Sequence, residues 1–157
     1  MRRQAFLRLG LRLARVFLVP GLGRWAEEWA ERGASLGVAL DHDRRALASA
    51  AGVRDSAGVR VVVVDDLPPL RGALRRLAPL VGFAELDALT LGGTIFIRRG
   101  RTLTRALIAH ELRHVAQYEH AGSVARFLRE YVRQLVVYGY ERAPLEVDAQ
   151  RASRMLA

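Results

Sequence analysis

At 157 residues the chain is long enough to bury one core without covalent staples, and it contains no cysteine, which excludes disulfides, thiolate-held metals and a thiol nucleophile. Any metal must therefore be held by His, Asp or Glu. The formal charge of +9 raises nucleic acid as a partner, but all 25 basic residues are arginine, scattered among abundant Ala, Gly, Val and Leu as a GC-rich bacterial genome would give, and this argues against nucleic-acid binding.

Residues 1–20 carry Arg2, Arg3, Arg8, Arg12 and Arg15 between Phe6, Leu9, Leu13, Val16 and Phe17. The apolar spacing of three and four predicts a basic amphipathic helix ended by Pro20-Gly21. Arg8, Arg12 and Arg15 interrupt the apolar run a cleavable signal needs, and nothing approaches the roughly 20 apolar residues of a membrane span. The expected location is cytoplasmic. The helix is expected to cover part of the core, with peripheral contact at the inner membrane as its alternative role. Residues 23–32 place Trp25 and Trp29 four apart beside Glu27, Glu28 and Glu31, a second short amphipathic helix with an aromatic packing stripe. Residues 1–32 are thus read as an N-terminal basic helical segment and 33–157 as the domain proper.

Asp41-His42-Asp43 predicts a solvated start for a helix over 44–51. The β-branched run 59–64 predicts a strand buried on both faces, stopped by Asp65-Asp66-Leu67-Pro68-Pro69. A helix over 70–78 is expected to close at Pro79. Residues 88–98 read as strand turning at Gly92-Gly93, with 94–97 the most strand-like part. The fold class expected is α+β, a small mixed sheet from 59–64 and 89–98 packed against several helices.

The helix expected over 103–119, capped by Thr102 or Thr104, carries His110-Glu111-Leu112-Arg113-His114. Residues four apart share a helix face, so the two imidazoles converge on one ion while Glu111 reaches a metal-bound water. Three of the chain's four histidines fall between 110 and 120. A catalytic zinc takes three protein ligands. His120 stays on the same helix, and the glycine of the H-E-x-x-H-x-x-G-x-x-H pattern is missing. The third ligand is therefore a downstream carboxylate. Past the Ala121-Gly122 stop and the Ser123 cap, a helix with Phe127, Leu128, Tyr131 and Leu135 on its apolar face ends at Gly139, and Pro144 opens a last helix. Glu146, in its first turn, is favoured over Asp148 because its side chain reaches further. Tyr118, His120, Tyr131, Tyr138 and Tyr140 all stand as candidate oxyanion donors, and Gln117 and Asp148 as groups that orient the ligands.

His-Glu-Leu-Arg-His-Val-Ala-Gln at 110–117, followed by Gly-Tyr-x-x-x-Pro-Leu-Glu-Val-Asp-Ala at 139–149, resembles the gluzincin-type zinc metallopeptidases, and more narrowly the small bacterial minigluzincin-like proteins. Leu-Thr-Leu-Gly-Gly-Thr-Ile-Phe-Ile at 89–97 is similar to the strand these proteins place beside the active cleft. The resemblance covers about residues 59–152. It implies a zincin-like domain with His110, His114 and Glu146 as Zn2+ ligands, Glu111 as general base, and hydrolysis of a peptide or protein substrate. An extended substrate is expected to pair with strand 94–97 where that strand forms the sheet edge. The readings that compete are a catalytically idle zinc-binding scaffold and a basic module for membrane surfaces or nucleic acid.

Overall fold

The computed structural model describes residues 19–157; all but the last two residues of the helix expected over 1–20 lie outside that range. In chain order come α1 (Val19–Leu36), β1 (Val38–Ala39), α2 (His42–Ala50) and β2 (Arg60–Val64). A 3-10 run, Gly72–Leu77, leads into the one-turn α3 (Ala78–Val81), followed by β3 (Ala88–Leu91), β4 (Thr94–Arg98), α4 (Arg105–Ala121), α5 (Val124–Tyr138) and α6 (Pro144–Leu156). The α+β expectation holds. Four strands form one mixed sheet in the order β1-β2-β4-β3, with β2 parallel to β4 and β3 antiparallel to it across the Gly92-Gly93 turn.

Strand alternation divides the core into two layers. Val61, Ala88, Ile95 and Ile97 point to the face covered by α2 and α4, where Leu47, Ile108, Leu112 and Val115 meet them. Val62, Leu89, Leu91 and Phe96 point to the opposite face, covered by α1 and α5 through Leu22, Ala26, Phe127 and Leu128. α1 approaches closely because Gly33 has no side chain: a Cβ there would overlap Thr94 Cγ2 and come within 2.8 Å of Phe96 Cζ. The Thr94 hydroxyl donates to the Ala30 carbonyl at 3.0 Å and fixes the helix at that height.

Three expectations are corrected. Pro20-Gly21 lies inside α1 rather than ending a helix. Positions 32 and 33 both lie within α1, whose Leu22 and Ala26 are buried. Pro79 sits within α3 rather than closing a helix over 70–78. β2 is not buried on both faces: β1 is only two residues long, pairs with Arg60 and Val61 alone, and Val63 is 54% exposed.

A further correction bears on binding. The 94–97 strand is interior, held by β2 on one side and β3 on the other, so it has no free edge for a substrate. The open edge on that side belongs to β3. Among the described residues no helix is long and apolar enough to cross a membrane.

Candidate metal centre

α4 is set at both ends by local chemistry. The Thr104 side chain accepts from Leu107 N–H, and Gly122 closes the helix in the left-handed conformation at φ 78°. Ser123 then caps α5 by accepting from Arg126 N–H, so α4 and α5 form an antiparallel pair. Gly139 ends α5 and Pro144 opens α6, which returns the chain across α4 and places Glu146 in the first turn over the two histidines.

His110, His114 and Glu146 are brought together. The two Nε2 atoms lie 3.1 Å apart, Glu146 Oε1 is 3.4 Å from His114 Nε2, and Oε2 is 3.5 Å from His110 Nε2. Bonds of about 2.0–2.2 Å to a tetrahedral zinc set ligand–ligand edges of roughly 3.3–3.6 Å. These spacings are those of a metal's ligand shell. Glu146 is 1% exposed, and its Oε2 is buried with no hydrogen-bond partner, a cost folding avoids unless a cation completes the site. The three donors, all within 4.8 Å of one another, could therefore hold a metal ion.

The tautomer of His114 follows from its neighbour. Gln117 Nε2 donates to the Leu145 carbonyl at 3.0 Å and to Asp148 Oδ2 at 2.8 Å, which turns Gln117 Oε1 toward His114 Nδ1 at 2.9 Å. That oxygen can only accept, so Nδ1 carries the proton and Nε2 keeps its lone pair for a metal. Asp148 is held in turn by Arg113 Nε at 2.7 Å, and Arg113 Nη1 donates to the Ala51 carbonyl at 3.0 Å. Asp148 thus faces Gln117 and Arg113 rather than the metal cluster. Gln117 occupies the position where the longer histidine pattern has its glycine, and His120 is exposed at the helix end.

Charge and burial act together here. Burial opposes a charge on His110, but the carboxylates of Glu146 and Glu111 outweigh it and raise its pKa above the usual 6.5. Burial likewise pushes the Glu146 pKa up, yet the two histidines and the Tyr131 hydroxyl hold it below its ordinary value. Tyr131 donates to Glu146 Oε1 at 2.6 Å; burial and the adjacent carboxylate raise its pKa well above 10.0, so it remains a donor. With Oε1 engaged, Oε2 is the oxygen left for the cation.

Glu111 stands one residue along, 6% exposed, with Oε2 accepting from the Thr90 hydroxyl at 2.6 Å. Thr90 belongs to β3, so the edge strand fixes the carboxylate. Of the other tyrosines, Tyr118 packs against Phe127 with ring centroids 3.8 Å apart and planes tilted by 32°, Tyr138 is 42% exposed, and Tyr140 lines the cleft.

Sequence reasoning missed Thr90, the Tyr131 bond to Glu146 and the role of α1. A threonine at a core-facing position of an apolar strand was the only signal for the first. Leu22 and Trp25 of α1 form a wall of the cleft that runs past the metal cluster, a cavity of about 370 Å³ bounded opposite by α5.

The eCIS core domain family model matches residues 82–122. That stretch contains β3, β4 and α4 with His110, Glu111 and His114, and ends before Glu146. No curated protein and no solved structure matches the chain.

Proposed function

We propose that the chain is a zinc-dependent metallopeptidase in which His110, His114 and Glu146 hold the ion and Glu111 is the general base. The observation that carries this reading is the convergence of three metal donors, one with an orphaned buried oxygen, beside a carboxylate pinned by a strand on the edge of the sheet. When bound, zinc supplies a water whose pKa falls from about 15.7 towards about 7 and a charge that polarises a carbonyl. Glu111, with Oε2 fixed by Thr90, would take a proton from the attacking water at Oε1 and return it to the leaving amine. Gln117 keeps His114 in the metal-binding tautomer, and Tyr131 keeps Glu146 turned toward the histidines.

The β3 edge supports a polypeptide substrate. Arg98 N–H bonds to the Asp87 carbonyl at 2.9 Å, and bonded pairs alternate along an antiparallel ladder. Leu89 and Leu91 therefore turn their backbone groups to β4, while those of Ala88 and Thr90 face outward. A strand added there lies beside Thr90 and hence beside Glu111, so the substrate pairs with β3 in place of the 94–97 strand.

The test is Glu111→Gln, which keeps size and polarity and removes the base. Zinc content by elemental analysis is expected to stay at wild-type level while peptide hydrolysis falls by at least about 10²–10⁴-fold. Unchanged hydrolysis would sink the assignment. The partial match to the eCIS core domain favours a second reading, a metal-holding module without hydrolysis. Zinc-loaded wild type that cleaves no peptide in a broad library, with and without chelator, would select it.

A further inference from the structure

The H-E-x-x-H pattern leaves two positions open, and this chain fills one with the buried Leu112 and the other with Arg113. A guanidinium carries five donors in one rigid plane, so it can hold acceptors on two different elements at set angles, which an ammonium cannot. Arg113 does so. Its Nη1 donates to the Ala51 carbonyl at 3.0 Å, while Nε donates to Asp148 Oδ2 at 2.7 Å and Nη2 to Asp148 Oδ1 at 3.4 Å. Ala51 is the C-terminal cap of α2, where carbonyls lack partners within the helix and a positive charge is favoured. Gly52 follows in the left-handed region at φ 92°, and a Cβ there would stand 2.8 Å from Arg113 Nη1, so the glycine leaves room for the guanidinium. Rooted on α4, Arg113 is thus anchored on α2 and grips α6.

The grip reaches His114 through what Asp148 accepts. Oδ2 takes bonds from both Arg113 Nε and Gln117 Nε2, the second at 2.8 Å. Turned over about its last torsion, Gln117 would set its oxygen against the Leu145 carbonyl and the Asp148 carboxylate and its NH2 against His114 Nδ1. The imidazole would then accept at Nδ1 and carry its proton on Nε2, the nitrogen that faces His110 and Glu146 and that a metal would use. Asp148, the charged and therefore stronger of the two acceptors, opposes that turn only while it stays beside Gln117. Arg113 bonds both of its oxygens and keeps it there.

We propose that Arg113 is a positioning residue for the metal centre: anchored on the end of α2, it holds Asp148 against Gln117 and so keeps Nε2 of His114 free for the ion. The proposal rests on the metal-binding part of the reading above and is independent of whether the site hydrolyses peptides. It gives a part in the site to α2, which carries none of the donors, and to a position that the H-E-x-x-H pattern leaves open.

The experiment measures the zinc affinity of the full chain by competition with a chromophoric chelator, for wild type, Arg113→Met, Arg113→Lys, Gln117→Ala and the double variant Arg113→Met with Gln117→Ala. Arg113→Met is expected to weaken zinc binding about 10–100-fold. Arg113→Lys keeps the charge but cannot reach both Asp148 and Ala51, so it is expected to weaken binding as well, and it serves in place of Arg113→Met should that variant fail to fold. Because Arg113 acts through Gln117, the double variant should bind little more weakly than Gln117→Ala alone. A second readout needs no metal: nitrogen NMR of the histidine rings in chelator at mildly alkaline pH should show His114 protonated at Nδ1 in wild type and partly at Nε2 in the Arg113 variants. Wild-type affinity in Arg113→Met or Arg113→Lys, full additivity in the double variant, or an unchanged His114 ring would each overturn the proposal, additivity because Arg113 would then support the fold by another route. Wild type that binds no zinc, with the His114 ring still shifted by Arg113→Lys, would sink the metal reading alone. The expected ranking of affinities with no cleavage of any peptide would sink the peptidase reading and leave Arg113 in its role.

Discussion

At the scale of single residues, the centre is decided by which hydrogen bonds are already taken. Gln117 has both amide hydrogens committed, to Leu145 and Asp148, so its oxygen dictates the proton position on His114. Gln117→Ala frees the ring to adopt either tautomer, and the expected loss in zinc affinity by calorimetry is about 10–100-fold, as for other groups that orient a ligand. Asp148→Ala should fall in the same range, whereas Glu146→Ala removes a metal bond and should empty the site at micromolar zinc. Asp148 also links α4 to α6, and this has a pH signature. Burial raises its pKa, but Arg113 and Gln117 outweigh that and hold it below the ordinary 3.8. A group depressed in the folded state stabilises above its unfolded pKa and loses that contribution as pH falls through its folded value. In chelator, wild type is therefore expected to exceed Asp148→Asn in thermal stability above about pH 4, and the gap is expected to narrow as pH falls further. A gap between the two that does not narrow with falling pH would show that the difference is packing rather than charge.

At the scale of elements, most of what builds the site was legible, because caps and breakers act locally. Thr104, Gly122, Ser123, Gly139 and Pro144 end or begin helices where their own chemistry requires it, and their spacing is what returns Glu146 to the histidines. What depends on distant partners was not legible. The edge or interior status of strand 94–97 is set by β2, which joins it across a long connection, and nothing within Thr94–Ile97 records that pairing. The helical pattern of α1 announced a buried face but not that the face would meet Phe96 and border a cleft. Gly33 tests this contact. Alanine there gains about 1 kcal/mol of helix propensity, but its Cβ meets the buried Thr94 and Phe96 side chains, and overpacking costs about 1–3 kcal/mol. The clash wins because both neighbours stand on an interior strand that cannot retreat. Gly33→Ala should lower the urea midpoint with an unchanged slope, and a raised midpoint would mean that α1 sits more loosely on the sheet than described.

At the scale of the molecule, a sheet this small needs cover on both faces, and α1 supplies part of that cover although it carries none of the three clustered donors, His110, His114 and Glu146. α4 covers the face that carries Thr90, and α1 with α5 covers the face that carries Leu89, Leu91 and Phe96. A fragment beginning at residue 37 keeps every metal donor and every residue of the H-E-x-x-H motif, yet it uncovers Phe96, Leu91 and Leu128, all buried in the intact chain. Exposing even two such side chains costs about 3–6 kcal/mol at about 1.5–3 each, a large share of the about 5–15 kcal/mol that holds a domain together. β3 would then lose its support from behind, and with it the Thr90 hydroxyl that fixes Glu111. The fragment is expected to lose cooperative thermal unfolding, to bind a hydrophobic dye, and to recover helical circular dichroism only in part when zinc is added. A metal held between α4 and α6 would supply folding energy through those helices but would not replace an absent layer on the opposite face. A 37–157 fragment that unfolds cooperatively near the wild-type temperature would return α1 to the status of an appendage and place the whole of the centre's stability in the helices that carry its ligands.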